Sequence, residues 1–169
     1  MMVMAIDPGV SGAIAVVDYQ DARHFNITEV CDLPINETLN GKTTDSVALY
    51  DVLIGHNPTR IVVEYPMWVQ HDGRAQASTM WRNFGHIEAA VAFAKYDSRL
   101  VTPAPAVWKR DMGLTLGRLA DRKQKKAHAL AVARKLFGVE PYLKRAKDHD
   151  RAEALLLSYW GSLTPPPSG

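Results

Sequence analysis

The sequence predicts an α/β protein, a mixed sheet with helices on both faces. Three observations predict it. Short apolar runs near the N-terminus alternate in the period-two manner of antiparallel strands. A continuous apolar run, Arg60-Ile61-Val62-Val63, has the character of a central parallel strand. Beyond it, helical patterns alternate with a single short strand pattern, which places helices against the sheet.

Each element can be justified in order. Residues 2–7 and 12–18 are apolar runs separated by Asp7-Pro8-Gly9-Val10-Ser11, a strand, turn and strand forming a hairpin. The alternating stretch Phe25-Asn26-Ile27-Thr28-Glu29-Val30-Cys31 is a third antiparallel strand. Residues 34–44, rich in Asn, Thr, Gly and Lys, read as loop. Thr44 or Asp45 can cap a helix carrying Val47, Leu49, Val52, Leu53 and Ile54, which ends near His56-Asn57-Pro58. The parallel strand at 60–65 follows and ends in Glu64. A long helix is expected over 75–95, a short strand over 99–102, and a helix around Val107-Trp108-Lys109. A basic helix is expected at 121–137 and a last helix at 148–160. The five expected strands are three antiparallel and then two parallel. Residues 1–163 read as one domain, and the Pro-rich 164–169 as a poorly ordered tail.

Composition narrows the function classes. The chain has 169 residues, 47% of them hydrophobic and 22% charged, which is globular and not disordered. No apolar run approaches the length of a membrane span, and Asp7 and Pro8 interrupt the N-terminal run, so it reads as a core strand and no membrane association is expected. The single cysteine, Cys31, rules out an internal disulfide and fits a reducing, cytoplasmic setting. Net charge is only +2, but residues 1–99 hold 7 basic against 12 acidic side chains, whereas residues 100–151 hold 13 against 5. Such a basic half suits a polyanionic partner, although it also reads as an ordinary solvated helical surface.

Four acids carry the chemistry. Asp7 ends the first strand, Glu64 ends the parallel strand, and Asp150 and Glu153 lie three apart on the face of the last helix that leads into Ala154-Leu155-Leu156-Leu157. A helix that buries two carboxylates over two more needs cations between them. Mg²⁺ takes oxygen ligands, and two such ions support in-line phosphoryl displacement. Singly, each acid has a plainer reading. Asp7 suits a turn, Glu64 a salt bridge, and Asp148 the N-cap of the last helix. His149 is either a ligand, a proton-transfer aid or an exposed helix-start histidine.

Taken together, Ala5-Ile6-Asp7-Pro8-Gly9, Ile61-Val62-Val63-Glu64, Trp108-Lys109 and Asp150-Arg151-Ala152-Glu153-Ala154-Leu155 resemble the RuvC-type Holliday-junction resolvases, especially phage-encoded ones. The resemblance spans nearly the whole chain. It implies a ribonuclease H-like fold, a homodimer, and nicking of paired strands at a four-way DNA junction with two Mg²⁺ or Mn²⁺ ions per site. The family's acids fall on Asp7, Glu64, Asp150 and Glu153; bacterial members carry Asp where this chain has Glu153, and Asp148 or His149 is a possible accessory to the metals. The same resemblance puts Lys109 near the scissile phosphate and Lys126 on DNA. Arg122, Lys123 and Lys125 accompany Lys126, and Arg118, Lys144, Arg145 and Lys147 extend the track. Met67 and Trp68 fall where family members carry a junction-wedging aromatic; Trp68 folding onto the core or a partner is equally open. The helix at 75–95 is implied as the dimer interface, and the glycines beside Asp7 as thin backbone for an approaching phosphate.

Two other classes compete. An actin- or hexokinase-like nucleotide-binding domain also ends its first strand in Asp-x-Gly, but it needs two lobes and a second phosphate loop, so no nucleotide cofactor is expected. A non-catalytic branched-DNA-binding module would be expected to have lost at least one acid. A broader DNA-debranching nuclease remains the alternative within the nuclease class.

Overall fold

The computed structural model describes residues 1–39, 41–67, 73–117 and 119–165. The main sheet has five strands: β1 (Met2–Ile6), β2 (Ala13–Tyr19), β3 (Phe25–Asp32), β6 (Arg60–Val63) and β7 (Leu100–Val101), in the order β3-β2-β1-β6-β7. β1, β2 and β3 pair antiparallel, and β6 and β7 add on parallel to β1. This is the mixed sheet expected from the sequence.

The stretch expected to be loop at 34–44 is instead a separate two-stranded hairpin, β4 (Ile35–Thr38) with β5 (Gly41–Thr44). Its sequence lacks an apolar stripe, so the period-two signal is missing. Backbone pairing makes it, and Asn83 anchors it by accepting the Thr44 amide at 2.7 Å.

The helices are α1 (Ser46–His56), α2 (Arg74–Phe93), α3 (Pro105–Asp111), α4 (Arg122–Phe137) and α5 (His149–Leu163). Asp45 caps α1, accepting the amides of Val47 and Ala48 at 3.0 and 3.1 Å. Asp121 and Gln124 close a reciprocal capping box on α4. A 3₁₀ turn, Asp97–Arg99, precedes β7. No described helix is long and apolar enough to cross a membrane.

The central strands β1, β2 and β6 bury both faces, and their side chains sort by parity. Val3, Ala5, Ala15, Val17 and Val62 join Leu155, Leu156 and Trp160 in one core, beneath α4 and α5. Met4, Ile6, Ile14, Val16, Ile61 and Val63 join Leu49, Leu53 and Ile87 in the other, beneath α1 and α2. Helix α5 lies close to the sheet. A Cβ on Gly161 would come within 2.5 Å of Val62 Cγ2 and 3.3 Å of Val3 Cγ1, so only glycine permits this approach.

Candidate active site

Parity and register place the first two acids. Ala5 faces the α5 side, so Asp7, two residues on, continues that face; Val62 does the same for Glu64. The parallel register pairs Ala5 with Val62 and Ile6 with Val63, which makes Asp7 and Glu64 the next neighbours at the strand ends. The first turns of α5 then bring Glu153 over them. Asp7, Glu64 and Glu153 line one small hollow with Trp108 and Leu157. Asp150, one turn earlier on α5, adds its charge to Asp7 from nearby.

The electrostatics follow from this crowding. Burial and then the neighbouring charges of Glu153, Glu64 and Asp150 push the Asp7 carboxyl well above the ordinary carboxylate range, against a smaller opposing pull from Lys109. Burial also raises the Glu64 carboxyl, with Lys109 and a hydrogen bond from Trp108 offsetting part of the shift. Lys109 Nζ bridges two of the acids, 3.2 Å from Glu64 and 2.8 Å from Glu153. Burial alone would lower its pKa, but the two carboxylates outweigh burial and hold the ammonium firmly protonated.

Trp108 is the residue that sequence reasoning missed as a functional group. Its indole Nε1 donates to Glu64 Oε2 at 2.7 Å, and the ring is buried. Helix α3 thus delivers two consecutive side chains onto one oxygen of Glu64, and Lys109 Nζ also lies 5.1 Å from the Trp108 ring centroid. The adjacent Trp108-Lys109 pair was a visible signal in the sequence, but its partner, 44 residues away, was not.

The accessory candidates separate. Asp148 occupies the N-cap position of α5, yet its carboxylate accepts from the Arg145 amide at 2.7 Å and the Arg145 guanidinium at 2.7 and 3.0 Å. Those bonds outweigh burial and hold its carboxyl below the usual range. His149 Nε2 lies 3.2 Å from Asp150 and touches Lys126 Nζ, which is itself 3.4 Å from Asp150. Arg151 bonds Asp32 at 2.8 Å and ties the start of α5 to the end of β3.

The basic residues lie beside this cluster. Arg122, Lys123 and Lys126 line a groove of about 810 Å³ with Arg134, Lys144 and His149, over a floor that includes Leu130. Lys125 is exposed and does not line it. A second groove, between the β4–β5 hairpin and residues 145–151, carries Lys42, Arg145, Lys147 and Arg151, of which Lys42, Arg145 and Arg151 pair with Glu37, Asp148 and Asp32. In the α4 groove Lys126 and Lys144 likewise pair, with Asp150 and Glu140. Met67 is half exposed beside Glu64; Trp68, Arg118 and the tail beyond Pro165 lie outside the described residues.

A Cβ on Gly12 would sit 2.0 Å from the Asp7 carbonyl oxygen and 2.7 Å from that of Gly9. Its bareness closes the turn that carries Asp7.

The donor set fits a hard divalent cation in chemistry and charge. Four carboxylates meet two lysines, Lys109 and Lys126, leaving two negative charges that such an ion would compensate. Among the described residues no three metal-ligating side chains already converge on one point, and Lys109 holds Glu64 and Glu153 together.

The fold is that of the RuvC-type Holliday-junction resolvases. Thermus thermophilus RuvC in complex with a Holliday junction substrate superposes with a TM-score of 0.65 at 16% identity, over 95% of this chain and 92% of that one. A second Thermus thermophilus RuvC structure gives 0.60 at 17%, over the same shares. The yeast mitochondrial Holliday junction resolvase Ydc2 gives 0.54 at 13%, over 94% of this chain and 77% of its own. No protein-family model matches the sequence, and no curated protein matches it.

Proposed function

We propose that this chain is a metal-dependent, structure-selective endonuclease that nicks four-way DNA junctions by phosphodiester hydrolysis, with residues 1–163 as its nuclease domain. The observation that carries this reading is the meeting of Asp7, Glu64 and Glu153 from two strand ends and a helix, with Asp150 one turn away, on a fold shared with a junction-bound resolvase. Asp7, Glu64, Asp150 and Glu153 would hold Mg²⁺ or Mn²⁺. Bound ions supply Lewis-acid stabilisation of the phosphate and favour deprotonation of the attacking water.

The chain's own residues do the rest. Trp108 fixes one oxygen of Glu64. Lys109, kept charged by its two carboxylates, stands beside the acids to meet phosphate oxygens as negative charge builds. The α4 groove takes flanking phosphates, giving affinity without sequence reading. Water adds to phosphorus, the bond to the 3′ oxygen breaks, and a proton ends on that oxygen, leaving 5′-phosphate and 3′-hydroxyl ends. Symmetric nicking of two strands calls for two such sites, hence a homodimer.

The test is incubation of end-labelled four-way, three-way and flap DNAs with Mg²⁺ or Mn²⁺, wild type beside Asp7→Asn. Paired nicks near the crossover are expected from the wild type only, with junction binding retained by Asp7→Asn. Cleavage by Asp7→Asn at the wild-type rate, or none by the wild type, refutes the reading; equal cutting of all three DNAs makes the enzyme a general debranching nuclease.

A further inference from the structure

Asp7 and Glu64 also border a recess of about 390 Å³ that no described residue of α5 lines and that the proposed chemistry does not use. Asp7 and Glu64 form one end of it. Its other walls are Pro8 and Gly9 of the first turn, Pro66 and Met67 after β6, Met80 of α2, and Pro105 and Ala106 at the start of α3. None of those walls is charged. The basic side chains of the α4 groove do not line it, so among its described walls a phosphate finds no cationic partner.

We infer that the recess is a nucleobase subsite, taking an unstacked base next to the scissile phosphodiester. The inference rests on the nuclease reading and deepens it. A phosphate held at Asp7 and Glu64 carries its neighbouring base within a few ångströms, and an uncharged hollow opening on the same two acids is where that base fits. Pro8, Pro66 and Pro105 offer compact aliphatic rings, and the thioethers of Met67 and Met80 make favourable contacts with an aromatic ring. Among the described residues its walls carry no neutral hydrogen-bonding side chain, so shape is the main basis of selection.

Selectivity for branched DNA follows. A base inside a duplex must first leave its stack, at a cost of a few kcal/mol. At a crossover held open, the end pair of each arm has lost one stacking neighbour, and the base enters at lower cost. The recess thereby favours a branch over plain duplex without any contact that recognises four arms.

Two readouts test this. Abasic residues are placed singly at each position flanking the cut in a four-way junction. One such position should slow wild-type cleavage roughly fivefold. Ala106→Phe, which fills the recess from an exposed position on α3, should cut the intact junction poorly and the junction abasic at that position as well as wild type does. Failure of every abasic position to matter, or equal slowing of Ala106→Phe on both junctions, overturns the subsite. In the second readout, 2-aminopurine replaces the bases beside the crossover and Asp7→Asn supplies binding without cutting. Emission should rise at one position on binding, and the rise should vanish in Asp7→Asn/Ala106→Phe. No rise, or a rise that survives Ala106→Phe, overturns it. If the wild type cuts no branched DNA, the nuclease reading fails and the emission signal decides the recess alone.

Discussion

Replacing Lys109 by methionine removes the ammonium shared by Glu64 and Glu153 while keeping a long side chain against Trp108. At 3.2 and 2.8 Å, each pair carries a gross attraction of about 5 kcal/mol at an effective dielectric constant near 20. Desolvation of the three groups cancels most of that. Lys109 remains 31% exposed and its partners 20% and 18%, so solvent screening trims the remainder. A net loss of about 2 kcal/mol is expected, because two carboxylates are left facing each other and Asp7. In a protein of this size that is a fall in Tm of roughly 4–8 °C, read by thermal melting in chelator. The pH dependence has a defined sign. Asp7 and Glu64 have folded-state carboxyls above the ordinary range, so their contribution is fully present below the unfolded-state pKa and is lost as pH rises through the raised folded values. Metal-free protein should therefore lose stability from mildly acid to neutral pH, more steeply in Lys109→Met and less steeply in Asp7→Asn. An unchanged or higher Tm for Lys109→Met in chelator at neutral pH would refute the counter-ion role.

Trp108→Phe keeps the packing and deletes the 2.7 Å bond to Glu64; losing a partner that orients a metal ligand should weaken Mn²⁺ binding or activity by about 10–100-fold. Mn²⁺ titration followed by electron paramagnetic resonance checks it, and wild-type affinity together with wild-type activity would contradict the positioning role. Gly12→Ala forces a Cβ onto backbone atoms of Asp7 and Gly9 and should cost about 3 kcal/mol in a urea melt; a change within about 0.5 kcal/mol would show that the turn can open.

The sheet was legible because its strands carry their own signal. Ala13-Ile14-Ala15-Val16-Val17 and Ile61-Val62-Val63 are apolar enough to be buried on both faces. Asp7 and Glu64 were legible for a related reason, as charges ending apolar runs, and Asp150 and Glu153 as charges opening one. The β4–β5 hairpin was not, since Asn36, Glu37, Thr38 and Lys42 show no face, and its anchor, Asn83, comes from a distant helix. The Trp108–Glu64 bond and the recess join residues from several elements, so neither leaves a local pattern. Asp148 illustrates a partial reading: its place at the N-cap was visible, but its bond to Arg145 depended on how the preceding loop folds back.

Strand parity also restricts how such a site can change. Along β1 or β6 an acid can be relocated only two residues at a time, and along α5 only three or four, as Asp150 and Glu153 are spaced. One residue inserted between Ile6 and Asp7 would leave every buried strand side chain in its present core. It would nevertheless turn the carboxylate toward α1 and α2, away from Glu153. Such a molecule would lose the site and would also set a carboxylate against the apolar core beneath α1 and α2, so activity and stability would fall together.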